Sequence, residues 1–283
     1  MQCKKCDKPF ESPEFANDKM TKFLRLASPF CTECRAIIRT ERESVARDER
    51  QLAVQIQQTK WLGVSGIPPK YIRSTFQDFD KVNYGNAYET AKAYAESFDY
   101  GNMRGKPSIY LYSSTLGVGK TYLATSIAHA IIDNWDGGDW SGEYDVACPV
   151  LFISEHDFLL RVRASFNHRY QEKAETEDEI YKMMIGIPLL ILDDIGKEET
   201  DKRDDDSTSS KFVRRAYWEV IDGRYQADLP MVITANYGTR NIKNFLGAPS
   251  TERIIEMCSG RGNIIELVGL SKRFKTMDDV SHA

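Results

Sequence analysis

The segment Ser114-Thr115-Leu116-Gly117-Val118-Gly119-Lys120-Thr121 carries the residue types that grip a polyphosphate. Glycine at 117 and 119 lets backbone N–H groups converge on phosphate oxygens with no Cβ in the way. Lys120 is suited to reach the β- and γ-phosphates of ATP, and Thr121 to offer its hydroxyl to Mg²⁺. The P-loop pattern opens with glycine, and Ser114 stands there instead. Further on, Leu189-Leu190-Ile191-Leu192 runs straight into Asp193-Asp194. Acids at the carboxyl end of a buried strand sit where α/β folds bind ligands. Asp193 is suited to hold Mg²⁺ and Asp194 to orient or deprotonate an attacking water. An isolated pair of this kind also fits a helix N-cap and a turn carboxylate; the P-loop upstream favours the catalytic reading. Thr234-Ala235-Asn236 ends another apolar run and places a neutral amide beside the acids. Arg253 is a candidate arginine finger acting on the nucleotide of a neighbouring subunit, although composition alone favours a surface salt bridge.

A second chemistry belongs to the cysteines. Cys3-x₂-Cys6 and Cys31-x₂-Cys34 are two pairs separated by 24 residues. Each pair aims two sulfurs at one point, and two pairs can close a tetrahedral thiolate shell around Zn²⁺. Disulfides or free thiols are the alternative, and an intracellular chain disfavours stable disulfides. The segment is poor in apolar residues, so its folding is expected to be coupled to the metal. Cys148 and Cys258 stand alone and read as small buried residues. The four histidines show no ligand spacing.

The elements that must position these groups follow from periodicity. Ile109–Tyr112, Val150–Ile153, Leu189–Leu192, Met231–Thr234 and Ile264–Val268 read as buried strands. Helical patterns follow from about Lys120, with Leu123, Ile127 and Ile131 on one face, from about Glu155, and from about Thr208 to Tyr225. Strands alternating with helices predict an α/β fold, a parallel sheet flanked by helices on both faces. Ahead of it, Arg35 to about Gln58 lacks Gly and Pro and has sparse apolar positions, the pattern of a solvated or partner-binding helix. Gly63, Gly66, Pro68 and Pro69 punctuate the chain there. The expected division is therefore a zinc-binding domain with its helix over 1–62 and an ATPase domain over 63–283. Residues 136–149 and 201–210 read as loops.

The chain has 283 residues, 41% apolar and 28% charged, with a net charge of −4. No apolar run approaches the roughly 20 residues that span a bilayer, and the N-terminus has no secretory signal pattern. A membrane protein, a collagen and a coiled-coil rod are thereby excluded, and a soluble, cytoplasmic protein is expected. Residues 1–70 carry 13 Lys+Arg against 9 Asp+Glu, and the remainder 25 against 33. An ordinary solvated surface accounts for this split, and charge alone assigns no partner.

Taken together, these residues resemble the AAA+ ATPases of the DnaC/DnaI helicase-loader group and the related IstB transposition ATPases. The resemblance spans about residues 60 to 273. It is carried by Gly66-Ile-Pro-Pro-Lys-Tyr-Ile-Arg-Ser-Thr-Phe-Gln-Asp-Phe79, Gly117-Val-Gly-Lys-Thr121, Leu189-Leu-Ile-Leu-Asp-Asp-Ile-Gly196, Thr234-Ala-Asn236 and Glu252-Arg-Ile254. The N-terminal cysteine pairs look like the zinc domain of DnaI-type loaders. The resemblance implies sensor 1 at Asn236, the finger at Arg253 and a sensor 2 candidate at Arg273. It further implies a loader of a DnaB-type replicative helicase. The N-terminal domain would dock on the helicase, and the ATPase domain would self-associate and contact single-stranded DNA. Arg161, Arg163 and Arg169 are the candidate DNA contacts. The alternatives are a transposition helper binding duplex DNA, and a nucleotide-dependent adaptor with negligible turnover.

Overall fold

The computed structural model describes residues 2–11, 29–138, 147–166, 175–196, 208–260 and 262–271. Arg169 and Arg273 lie outside the described residues, as does most of the two expected loops. The chain divides into two compact units, Met1–Ile56 with Asp136–Asp139, and Gln57–Trp135 with Trp140–Ala283.

In the first unit a short bridge between Gln2 and Pro9 holds a turn, and Asp7 takes a left-handed φ of 56° there. Helix α1, Thr32–Val64, starts immediately after Cys31 and carries Cys34 in its first turn. From Arg39 to Leu52 every residue is exposed. Ile37, Val45 and Leu52 are among the large apolar side chains left in solvent. The prediction of a solvated helix therefore holds, and the helix runs past Gln58, through Gly63, to Val64. Glycine weakens a helix interior by about 1 kcal/mol without ending it.

The second unit is a five-stranded, wholly parallel sheet. Its strands are β1 (Ile109–Tyr112), β2 (Val150–Ser154), β3 (Leu189–Ile195), β4 (Met231–Ala235) and β5 (Ile264–Glu266), in the order β2-β3-β4-β1-β5. The helices are α2 (Lys81–Glu96), α3 (Lys120–Asp133), α4 (Glu155–Ser165), α5 (Glu177–Gly186), α6 (Thr208–Ala227), α7 (Thr239–Leu246) and α8 (Ala248–Met257). Strand alternation sorts the core into two layers. Ile109, Leu111, Val150, Phe152, Leu189, Ile191 and Val232 face α2 and α3. Tyr110, Leu151, Ile153, Leu190, Leu192, Met231 and Ile233 face α4 to α8. Residues i and i+2 of a strand share a face, so each run feeds both layers, as a sheet covered on two sides requires. Four predicted strands stand as expected or slightly longer. β5 is shorter, because pairing with β1 ends at Glu266 opposite Tyr112.

The periodicity reading missed α2, α5, α7 and α8. In α2 the buried positions are Tyr84, Ala87, Tyr88, Ala91, Tyr94 and Ala95, a helical stripe written in tyrosine and alanine rather than aliphatics. Upstream of α2, the Gly66-Ile67-Pro68-Pro69 segment closes the free edge of β2. Phe152 N–H donates to Ser65 O at 2.7 Å. A Cβ on Gly66 would lie 2.2 Å from the Phe152 carbonyl oxygen. Backbone cannot yield at that distance, so only glycine fits.

Candidate functional site

Because β4 inserts between β3 and β1, the carboxyl ends of three strands adjoin. β1 delivers the phosphate loop, β3 delivers Asp193 and Asp194, and β4 delivers Thr234 and Asn236. The sequence brings these residues together as expected.

The loop is anchored at its start. Ser113 N–H donates to Ala235 O at 3.2 Å, and the Ser113 hydroxyl accepts from Thr115 N–H at 3.1 Å. Gly117 and Gly119 adopt left-handed φ of 79° and 105°. Gly119 also passes so close to Phe79 that a Cβ would meet its ring at 3.2 Å. Ser114 is absent from the positive-φ residues, so its backbone has no need of glycine and the departure from the pattern brings no strain. Val118 is fully buried while Leu116 is exposed. Lys120 is buried and its Nζ donates to Ser113 O at 3.4 Å, so the ammonium is held within the loop at the N-terminus of α3. Backbone N–H groups of the loop, that helix end and Lys120 together favour a polyphosphate.

One hydroxyl–carboxylate chain links the three strands. Thr121 Oγ1 stands 3.0 and 3.1 Å from the two oxygens of Asp193. Thr234 Oγ1 donates to Asp193 Oδ1 at 2.6 Å and accepts from Asp194 N–H at 2.8 Å. Asn236 Nδ2 donates to Asp194 Oδ1 at 3.2 Å. A buried carboxylate touching the loop threonine is the donor set that suits a hard divalent cation such as Mg²⁺.

Sequence reasoning gave no hint of how the two acids are separated. Leu192 pairs with Ile233, but Ile195 pairs with Ala235, so two residues of β3 face one of β4. This is a β-bulge, a device that re-aims side chains next to sites. Asp194 takes φ 64°, a left-handed conformation that aspartate tolerates better than most residues. Its N–H consequently finds the Thr234 hydroxyl rather than a ladder carbonyl. Asn236 Oδ1 is buried without a hydrogen-bond partner, an acceptor available beside Asp194.

In front of the loop lies an open cavity of about 990 Å³, whose walls include Ser114, Leu116, Asn236 and Arg240. Arg240 was not anticipated from the sequence; its only signal is its place four residues after Asn236. Behind the loop, Phe79 packs with Tyr84, Tyr88 and Tyr122, and Tyr122 accepts a hydrogen bond from Thr75 N–H at 3.3 Å.

Arg253 is held by α6 rather than by the loop. Its guanidinium pairs with Asp222 and covers the rings of Trp218 at 4.1 Å and Tyr225 at 5.1 Å. Arg161 is paired with Glu175 at 2.5 Å, and Arg163 lies over Phe212 at 5.3 Å.

The four paired cysteines meet. Their sulfurs all lie within 4.8 Å of one another, and Cys6 and Cys31 Sγ are 3.7 Å apart. Zn–S bonds of about 2.3 Å in a tetrahedron require S···S of roughly 3.8 Å, so the set fits zinc. All four are free thiols. Burial pushes the Cys3 thiol up, but N–H donors of Cys31, Lys5 and Cys6 outweigh it and bring it down to about 6. Cys31 N–H, for instance, is 3.3 Å from Cys3 Sγ. Burial pushes Cys34 well up. Cys258 is buried as expected, and Cys148 is half-buried, its sulfur 3.1 Å from Val150 O. Of the histidines, His129 has a structural place, donating from Nε2 to Tyr71 O at 3.0 Å.

No protein-family model matches the chain. In sequence it is similar to the replicative helicase loader DnaC of Escherichia coli K12, 22% identical over 213 residues, covering 75% of this chain and 74% of that protein. In fold it is similar to the crystal structure of the DnaC helicase loader, with 20% identity and a TM-score of 0.52, covering 71% of this chain and all of that one. It is also similar to the replication initiator DnaA bound to AMPPCP and single-stranded DNA, with 17% identity and a TM-score of 0.50, covering 76% of this chain and 55% of that one. Its parallel sheet and phosphate loop thus belong to a fold similar to that of the DnaC helicase loader, which its sequence also resembles.

Proposed function

We propose that this protein is an ATP-dependent loader of a DnaB-type replicative helicase onto single-stranded DNA in the bacterial cytoplasm. The observation that carries the nucleotide half of this reading is the unbroken contact chain from Thr121 through Asp193, Thr234 and Asp194 to Asn236. It ties the phosphate loop after β1 to the ends of β3 and β4, so a change at the terminal phosphate is felt across these strands. The similarity to DnaC carries the helicase half.

In this reading Lys120 and the loop N–H groups hold the phosphates, and Thr121 and Asp193 hold Mg²⁺. The cation supplies neutralisation of phosphate charge when bound. Asp194 orients water and takes its proton as the water oxygen bonds to the γ-phosphorus and the β–γ bridging bond breaks. Asn236 aligns the same water through its amide. Arg253, reaching a neighbouring subunit, stabilises the charge that develops there, which makes turnover slow in isolation and dependent on assembly. Cys3, Cys6, Cys31 and Cys34 hold Zn²⁺ and fix the start of α1, whose exposed face is the candidate contact with the helicase. The division into 1–62 and 63–283 is the functional one proposed here.

The test is a pull-down against the host's replicative helicase, paired with ATPase assays with and without single-stranded DNA. Capture with ATP at low salt and stimulated turnover support the loader. Failure of capture overturns it, and nucleotide binding that survives Lys120→Ala overturns the phosphate-loop assignment.

A further inference from the structure

The cavity in front of the phosphate loop contains a cation to which the reading above gives no task. Arg240 is the second residue of α7; it is exposed and lines the open cavity together with Ser114 and Asn236. It makes no hydrogen bond or ion pair among the described residues. Its placement runs against the usual preference, since helix N-termini carry partial positive charge and favour anions. The first turn of α7 supplies no acid, and its N-cap, Gly238, makes no side-chain cap. Glu266, also on the cavity wall, instead accepts a hydrogen bond from the Tyr112 hydroxyl at 3.2 Å. The arginine and the helix end therefore add their positive potential, with no protein anion paired to the arginine among the described residues and the Glu266 carboxylate engaged by Tyr112.

Asn236 gives this positive wall a direction. It too lines the cavity, its Nδ2 is bonded to Asp194, and its Oδ1 is buried with no partner. The wall thus adjoins the start of the phosphate loop at Ser114 and the amide of Asn236. A group that brings two or three acceptor oxygens and negative charge there is a terminal phosphate. Guanidinium offers a planar fork of donors for it.

We propose that Arg240, with the N-terminus of α7, binds the terminal phosphate of a nucleoside triphosphate in the same chain and makes the site selective for triphosphate over diphosphate. This rests on the nucleotide-binding reading above. Arg240 is a specificity residue that touches substrate, distinct from the finger proposed at Arg253.

The test is titration of the full chain with fluorescent analogues of ATP and ADP in the presence of Mg²⁺. Wild type, Arg240→Ala, Arg240→Lys and Lys120→Ala are compared, with thermal unfolding as the check on folding. Arg240→Ala is expected to weaken ATP binding about tenfold, the loss of one charge-assisted contact, and to change ADP binding less than about twofold. Arg240→Lys is expected to recover part of the loss, because it keeps the charge and loses the fork. An unchanged ATP-to-ADP ratio in Arg240→Ala overturns the inference while leaving the nucleotide reading intact, provided Lys120→Ala abolishes binding. A wild-type chain that binds neither nucleotide, or a Lys120→Ala variant that binds both, removes the nucleotide reading and this inference with it.

Discussion

Thr234 holds Asp193 by a hydroxyl donated at 2.6 Å, and the same oxygen receives the N–H of the next residue, Asp194. One side chain on β4 thus fixes both acids of β3. Valine has nearly the shape of threonine and neither of these bonds. Thr234→Val is expected to keep nucleotide affinity within about twofold and to lower ATP turnover by at least about tenfold, because the acids lose their alignment. Leaving the Asp194 N–H without its partner costs about 1–3 kcal/mol. Steady-state ATPase assays and a chemical denaturation curve measure the two effects separately.

Arg253 is engaged before any neighbour arrives, by Asp222, Trp218 and Tyr225. Arg253→Ala is expected to abolish the concentration-dependent part of ATP turnover while leaving nucleotide binding unchanged. It also uncovers two aromatic faces, at a cost of about 0.5–2 kcal/mol. Turnover that is lost equally at all protein concentrations would mark Arg253 as a clasp between α8 and α6 with no part in trans.

Arg224 is fully buried, and among the described residues its guanidinium meets carbonyl oxygens and no carboxylate. Its Nη1 donates to Met184, Ile185 and Ile187 carbonyls, and its Nη2 to those of Pro188 and Pro230. These tie the end of α5 and the turn into β3 to α6. Burial pushes its pKa down to about 9, and the five carbonyl dipoles stabilise the charge it keeps at neutral pH. Arg224→Met is expected to destabilise the fold by about 3–5 kcal/mol, because five carbonyls, those of Met184 and Pro230 in buried bonds, lose a donor at once. Thermal unfolding followed by circular dichroism reads this directly.

The four-thiolate site makes a separate prediction for the first unit. Zinc competes with protons for these sulfurs, so metal release into a colorimetric indicator is expected to rise as pH falls. A strong chelator at neutral pH should expose residues 1–31 to limited proteolysis while ATP binding persists. Cys31→Ser, which removes one ligand, is expected to mimic the chelator.

The chemistry of the site was legible because phosphate binding demands fixed spacing: Gly117, Gly119, Lys120 and Thr121 are consecutive or nearly so, and Asp193 closes an apolar run. The sheet was legible for the same reason, since buried parallel strands are unbroken apolar runs. What stayed hidden depends on contacts between distant segments. Nothing near Gly66 says that a β2 carbonyl will lie against it. The tyrosines of α2 look polar in sequence, and only their burial against the phosphate-loop layer shows them as core. Arg253 could be read as a finger or a salt bridge, and its aromatic cover on Trp218 and Tyr225 has no local signature. The same is true of Arg240, whose significance lies in a cavity wall built from three strands.

The bulge in β3 also decides which residue the sheet could do without. Ile195 packs in the same layer as Leu190 and Leu192, although it is an odd number of positions from each even-numbered neighbour. The extra residue between Leu192 and Ile195 makes that possible. Deleting Asp194 would restore an uninterrupted ladder with Ile195 still opposite Ala235. Such a shortened chain would be free of the left-handed aspartate and is expected to gain in stability. A screen that rewards only folding would therefore discard the residue on which hydrolysis is proposed to depend.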